Sequence, residues 1–414
     1  MHRIWKKRSQ EELKERVFHA LKQNVSYMDQ QILGVPASYL DNKVFHHDAA
    51  FLKDSPFLSA LLQNPNHIGC HTLGKSEPFF EGTHEIEREL IEICAVDILK
   101  GEPGQQDGYV ASGGTEANIQ AIWVYRNFFR TEFGAQNNEI ALICSQDSHY
   151  SMNKASDLLS IDIFRFAVQE DSRALDAALL RECLAEAKAN GKKYFIAICN
   201  MMTTMFGSVD DIKILVQSLA EAKVEYKIHV DGAYGGFYYP FSDEDSLLTF
   251  QNDEIDSFTL DAHKMAQSPY GTGIFLARKG LIKYANTKEA SYVEGEDYTL
   301  VGSRSGANAI AVWMILSKNG PYGWFEKVFI LQKRAEWLVR KLRQLDIDHY
   351  RNPHSNIVSM RSRCIDKDIA DKYWLVPDNH LNPSWYKIVI MEHVTVDKLN
   401  LFVEDIKHRQ QIES

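Results

Sequence analysis

Short, continuous apolar runs alternate with amphipathic stretches through the middle of the chain. Ile140–Cys144, Tyr194–Cys199, Lys227–Val230 and Gly271–Ala277 are runs of strand length. Between them, Ser172–Asn190 sets Leu175, Leu179, Leu180 and Leu184 on one helical face, and Ile212–Lys223 reads as a second helix. Strands without polar alternation, separated by helices, predict a mainly parallel sheet covered on both faces.

The flanks read differently. Gln10–Tyr27 and Thr83–Lys100 have helical periodicity, and Thr83 with Ile86-Glu87 after it resembles a helix start. The Pro-, Asn- and His-rich stretch between them, Gly34–Pro78, reads as irregular coil. Coil of that length belongs to a functional segment or one packed on a partner. Trp324–Leu345 reads as a long helix leading away from the sheet. Beyond it Ile357–Met360, a helix near Ile369–Trp374, Tyr386–Met391 and a helix over Val396–His408 predict a small α/β domain. The expected division is an N-terminal helical segment (1–100), a large domain (101–318) and a small C-terminal domain (319–414).

Composition narrows the class. With 45% apolar and 25% charged residues in 414, the chain is ordinarily globular. A net charge of −10 argues against general affinity for nucleic acid or anionic membrane. The six cysteines are scattered without a CxxC, which fits buried thiols in a reducing compartment. No secretory signal and no apolar run of membrane-spanning length is visible, so the expected location is cytoplasmic.

Several short motifs carry candidate chemistry. Asp231 and Lys264 each follow an apolar run, in His229-Val-Asp-Gly-Ala233 and Ser257–Lys264. A strand-end carboxylate with a lysine beyond the next strand suits a pyridoxal-phosphate (PLP) enzyme, which needs a Schiff-base lysine and an acid opposite the ring nitrogen. Each taken alone also reads as a turn-capping aspartate or a surface lysine. Gly113-Gly114-Thr115 stands between a strand and the apolar helix Ile119–Phe129, a turn that exposes backbone N–H groups to a phosphate, or a plain Gly-rich turn. His149 follows a strand, where open α/β sheets bind ligands, and equally reads as a loop histidine. Thr203 and Thr204 end another strand, with Asp210-Asp211 after Gly207. Arg304, between Gly302 and Gly306, suits a carboxylate or phosphate, and Tyr292 a proton donor; an ion pair and a packed tyrosine are the plainer readings. His46, His47, His67 and His71 match no metal-ligand spacing, and no metal is expected.

Taken together, the order and spacing of these motifs resemble the PLP-dependent group II amino-acid decarboxylases. The matching text is Gly113-Gly-Thr-Glu116, Asp147-Ser-His-Tyr-Ser151, Thr203-Thr204 with Gly207 and Asp210, and His229-Val-Asp-Gly-Ala233. It continues with Ser257, His263-Lys-Met265, Ser268-Pro269, Tyr292 and Gly302-Ser-Arg-Ser-Gly306. The resemblance spans about residues 80 to 318 and is greatest to the bacterial histidine decarboxylase and plant serine decarboxylase branch.

The resemblance implies a PLP fold type I large domain, with a mainly parallel seven-stranded sheet, and a small C-terminal α/β domain. It implies α-decarboxylation of an L-amino acid, with Lys264 holding PLP, Asp231 on its ring nitrogen, His149 stacked on one face and Ala233 on the other. Gly113, Gly114, Thr115 and His263 would serve the phosphate, and Thr203 and Thr204 the cofactor's phenolic oxygen. Ser303 would reach the phosphate from a neighbouring subunit, with Tyr292 and Arg304 near the substrate, which implies a homodimer with shared sites.

Met202 stands where the branch usually has glycine, and Gly232, Ser305 and Ala307 also depart from the pattern. Transamination, C–C lyase chemistry and a non-catalytic PLP-binding role are the rival readings. The substrate is left open among histidine, serine, aspartate, tyrosine and diamino acids. The acids Glu294, Glu296 and Asp297 fit either a basic side chain or a solvated loop.

Overall fold

The structure is a computed structural model that describes residues 4–25, 40–41, 44–46, 48–69, 78–286 and 296–413. Its centre is a seven-stranded sheet. The strands are β1 (Gln106–Ala111), β2 (Ile140–Ser145), β3 (Asp162–Phe166), β4 (Tyr194–Asn200), β5 (Glu225–Gly232), β6 (Ser257–Asp261) and β7 (Gly273–Arg278), in spatial order β1-β7-β6-β5-β4-β2-β3. Only β7 runs against the rest, pairing antiparallel with β1 and β6. The apolar runs behave as expected, since β2, β6 and nearly all of β4 are buried along their length. Both faces are covered. Helix Gly114–Phe133 packs Ile122, Tyr125 and Phe129 against Leu142, Ile196 and Ile198. On the other face Val230, Phe258 and Leu260 share a core with Ile86, Leu90, Leu13 and Val17.

The N-terminal helix therefore belongs to the sheet's own core. It spans Gln10–Gln23 and starts at a capping box, in which Glu12 N donates to Ser9 Oγ (3.2 Å) and Ser9 N to Glu12 Oε2 (2.6 Å). Trp5 is buried ahead of it, its backbone N–H on Asp97 Oδ2 at 2.7 Å. The stretch read as coil is partly regular: Pro56–Gln63 is an α-helix and Asn66–Ile68 pairs with Ser303–Ser305. Eight residues with proline at the first turn are too few for a periodic signal.

Gly306–Gln344 is two helices broken at Gly320, whose φ of +66° and close approach to Lys7 leave no room for a Cβ. The second of them leads into a four-stranded antiparallel sheet of His349–Tyr350, Ile357–Arg361, Trp385–Val389 and Val376–Pro377. This sheet has its own apolar core with Leu338, Leu342, Phe402 and Ile406. It also grips the turn after β4. Ser359 Oγ donates to Met205 O at 2.9 Å, and Phe206 meets Trp385 edge-on at 5.5 Å. No described helix is long and apolar enough to cross a membrane.

Candidate active site

Parallel pairing aligns the carboxyl ends of β4, β5 and β6, placing Asn200 beside Asp231 and Asp231 beside Thr259. Asp231 is buried, and its carboxylate accepts from Asn118 Nδ2 (3.0 Å) and from the Ala233 N–H (3.1 Å). Asn118 is aimed in turn by His229, whose Nε2 lies 3.0 Å from Asn118 Oδ1. Burial drives the His229 imidazole down to about 4, so the ring is neutral and its remaining polar contacts are Ser257 and Thr259. A buried carboxylate with only two donors keeps lone pairs for a cationic N–H.

Lys264 lies one turn beyond β6, with Nζ 3.8 Å from Asp261 Oδ2. The same oxygen accepts the Gly114 N–H at 3.1 Å, so Asp261 ties the lysine to the glycine turn. His263 Nδ1 lies 2.8 Å from Asp261 Oδ1 but outside hydrogen-bonding geometry, and both atoms are buried without a hydrogen-bond partner. Burial lowers the His263 pKa against the pull of Asp261. Burial also raises the Asp261 pKa, opposed by Lys264 and His263. Gly114 is needed for close approach, because a Cβ there would stand 3.0 Å from Ala233 Cβ.

A cavity brings these ends together, lined by His149, Asn200, Met202, Thr203, Thr204, Asp231, Ala233, Tyr234 and Lys264. The Ser151 backbone N–H donates to His149 Nδ1 at 3.2 Å, and burial lowers the ring's pKa, so His149 is neutral with its proton on Nε2. Thr203 spends its hydroxyl inside its own turn, 2.6 Å from Ser208 Oγ, whereas Thr204 is exposed at the rim. Met202 has φ +68°, a left-handed conformation that glycine adopts without cost. This is the position where the sequence departs from a glycine.

Other expected residues lie elsewhere. Arg304 is buried against Glu87, with Nη1 on Val110 O (3.0 Å) and Nη2 on Gly69 O (2.6 Å). It does not line the cavity, and its guanidinium is committed to a structural cluster. His67 joins that cluster, 2.5 Å from Glu87 Oε2. Ser303 is exposed on the strand paired with Asn66–Ile68 and does not line the cavity either. Gly113 and Thr115 flank Gly114 at the helix start. Tyr292 lies outside the described residues, as do Glu294, His47 and His71.

Three residues escaped the sequence reading. Asn118 sits on the first turns of the helix after Gly113-Gly114, and Asp261 three positions before Lys264. Lys387, on the small sheet, donates to Thr204 O at 2.5 Å, and its pKa is lowered by burial and by Lys264. Helical spacing from the glycines could have flagged Asn118. Nothing local to Lys387 marks it.

The donor set fits PLP. It offers an amine, a strand-end carboxylate with unused lone pairs, a neutral imidazole over a cavity, and a Gly-Gly helix start beside the unpartnered His263 Nδ1. The comparisons with known proteins agree. The model of the pyridoxal-dependent decarboxylase conserved domain matches residues 85–349. The tryptophan decarboxylase of Clostridium sporogenes is 50% identical over 407 residues, 98% of this chain and 97% of that protein. The histidine decarboxylase of Vibrio campbellii is 29% identical over 303 residues, 72% of this chain and 73% of its own. Among solved structures, L-methionine decarboxylase from Streptomyces sp. 590, with L-methionine methyl ester, superposes with TM-score 0.70 at 19% identity over 96% of this chain and 93% of its own. A sphingosine-1-phosphate lyase of Burkholderia pseudomallei reaches 0.68 at 19% identity, over 79% and 77%. At that identity both share the fold, and neither ranks one reaction over the other.

Proposed function

The chain belongs to the pyridoxal-dependent decarboxylase family, PLP carboxy-lyases acting on amino acids, and on that premise we propose that its substrate is L-tryptophan, converted to tryptamine and CO2. The observation that carries the substrate is the 50% identity, over nearly the whole of both chains, to the tryptophan decarboxylase of Clostridium sporogenes. Tryptophan stands outside the set of substrates that the motifs alone left open.

PLP bound at this site supplies an electron sink for the pair left on Cα when the carboxyl carbon departs as CO2. The residues then divide the work. Lys264 Nζ is the amine that carries the cofactor and yields to the substrate's amino group. Asp231, oriented by Asn118 and the Ala233 N–H, would pair with the ring nitrogen. His149 and Ala233, which both line the cavity, would pack on the two faces of the ring. The Gly113-Gly114-Thr115 helix start and His263 hold the phosphate. Thr204, exposed at the rim, would serve the phenolic oxygen, while Thr203 braces the turn. Lys387 brings a cation to the rim from the small sheet, suited to the substrate carboxylate, the role Arg304 is too occupied to fill. Tyr292 is assigned the return of a proton to Cα.

A homodimer in the cytoplasm completes the reading, with Ser303 reaching the neighbouring subunit's phosphate. Its exposure, away from the chain's own cavity, supports that role. The test is direct: the purified protein with PLP and L-tryptophan should release tryptamine and CO2 in equal amounts, and Lys264→Ala should release neither. Release of an indole keto acid without CO2 would replace this reading by transamination.

A further inference from the structure

Asp210 belongs to a motif that the catalytic roles above leave unused. It is buried at 4% exposure, just past the turn after β4, and its backbone N–H donates to Asn200 O at 2.9 Å. One oxygen, Oδ2, accepts twice from Asn200: from the backbone N–H at 2.8 Å and from Nδ2 at 2.7 Å. The same Nδ2 reaches Ser148 Oγ at 2.8 Å and Ser145 Oγ at 3.1 Å. A carboxylate only accepts, so Asp210 dictates which end of the Asn200 amide faces it. With that end fixed, one amide hydrogen goes to Asp210 and the other is shared between the two hydroxyls, and Oδ1 takes no part in the cluster. Ser145 ends β2, Ser148 N donates to Ser145 O at 3.1 Å, and His149 is the next residue.

We propose that Asp210 is a positioning residue: its carboxylate fixes the Asn200 amide, and that amide holds the Ser145–Ser148 turn that presents His149 to the cofactor cavity. The chain of contacts runs from a buried acid past the turn after β4, through Asn200 at the end of β4, to the loop that follows β2. It explains why a full carboxylate is buried where an apolar side chain would pack as well. The titratable and charged groups around it are Asp147, which pairs with Arg173, the Tyr350 phenol, the Cys144 thiol, and the Cys199 thiol, which approaches Asp210 O at 3.8 Å. Burial raises Asp210 to about 6. Above that pH both oxygens only accept; as pH falls through it the carboxyl becomes neutral and its two bonds from Asn200 lose the strength of a charged acceptor.

The experiment reads the circular dichroism of the bound PLP, the PLP dissociation constant and the melting temperature for wild type, D210A, D210N and S148A. D210A should weaken the cofactor's dichroism and raise the PLP dissociation constant about tenfold, the worth of one hydrogen bond to a charged group, and S148A, which removes a neutral hydrogen bond, should do so about fivefold. S148A, which removes one hydroxyl, should do so at an unchanged melting temperature, so the inference survives testing even where D210A folds poorly. D210N keeps an acceptor oxygen but no titration. It should lie between D210A and wild type at pH 8 and lack the step near pH 6 that wild type shows. Wild-type dichroism and PLP affinity in both D210A and S148A would overturn the inference, as would a D210N as damaged as D210A. Since PLP dichroism and affinity need no turnover, this outcome is independent of which amino acid is the substrate.

Discussion

Asn118 Nδ2 lies 3.0 Å from Asp231 Oδ2, while the other end of the same amide, Oδ1, lies 3.0 Å from His229 Nε2. The Asp231 carboxylate only accepts, so it takes the amide's NH2 and leaves Oδ1 facing His229 Nε2. Asn118→Leu keeps the volume and removes the donor. A hydrogen bond to a charged group is worth about 1.5–3 kcal/mol, so kcat/KM should fall roughly tenfold to a hundredfold. Steady-state kinetics with L-tryptophan would check this, and unchanged kinetics would remove Asn118 from the site.

Arg304 should behave as a structural residue. Burial opposes ionisation of Glu87, but Arg304 and His67 beside it hold its carboxyl well below its ordinary 4.5. Burial keeps His67 low, so its neutral ring donates Nδ1–H to Glu87. Breaking a buried pair by removing one partner costs about 3–5 kcal/mol, so Arg304→Gln should lower the melting temperature markedly while KM for the amino acid holds. A raised KM with unchanged melting would return Arg304 to the substrate.

The same pair sets an acid limit. A carboxyl whose pKa is depressed on folding adds stability that is fully present above its unfolded value and is lost as pH falls through the folded one. The wild-type melting temperature should therefore drop as pH goes below about 4.5. Glu87→Gln should start lower at neutral pH and lose less on acidification. Parallel slopes for the two proteins would show that Glu87 does not carry the acid limb.

Lys387 is expected to act on substrate. Lys387→Gln removes the cation at the rim and should raise KM for L-tryptophan about tenfold, with kcat changing less. Lys387→Arg should recover much of the loss. If Lys387→Gln changed stability alone, its contact with Thr204 O would be its whole function.

The sequence carried the sheet and the cofactor chemistry far better than it carried the periphery of the site. β2 and β4 are apolar runs, and β5 and β6 are short buried strands that end on Asp231-Gly232 and Asp261, a pattern that local sequence expresses in part. Asp231, Lys264 and His149 follow from strand ends and spacing, and the structure brings all of them to one cavity. The ion pair of Arg304 has no local signal, because its partner Glu87 comes from a helix 217 residues away. Lys387 reaches Thr204 across 183 residues and two sheets, and no motif spans that distance. Burial and long-range pairing decide such roles, and neither is written in the neighbouring residues.

The central claim is the substrate together with the reaction. Purified protein with PLP should be given an equimolar mixture of L-tryptophan, L-tyrosine, L-histidine, L-aspartate and L-methionine, with every amine and the CO2 quantified. Tryptamine should dominate the products, with CO2 equal to the summed amines. A different dominant amine would contradict the substrate, and amino acid consumed without CO2 would contradict the reaction itself.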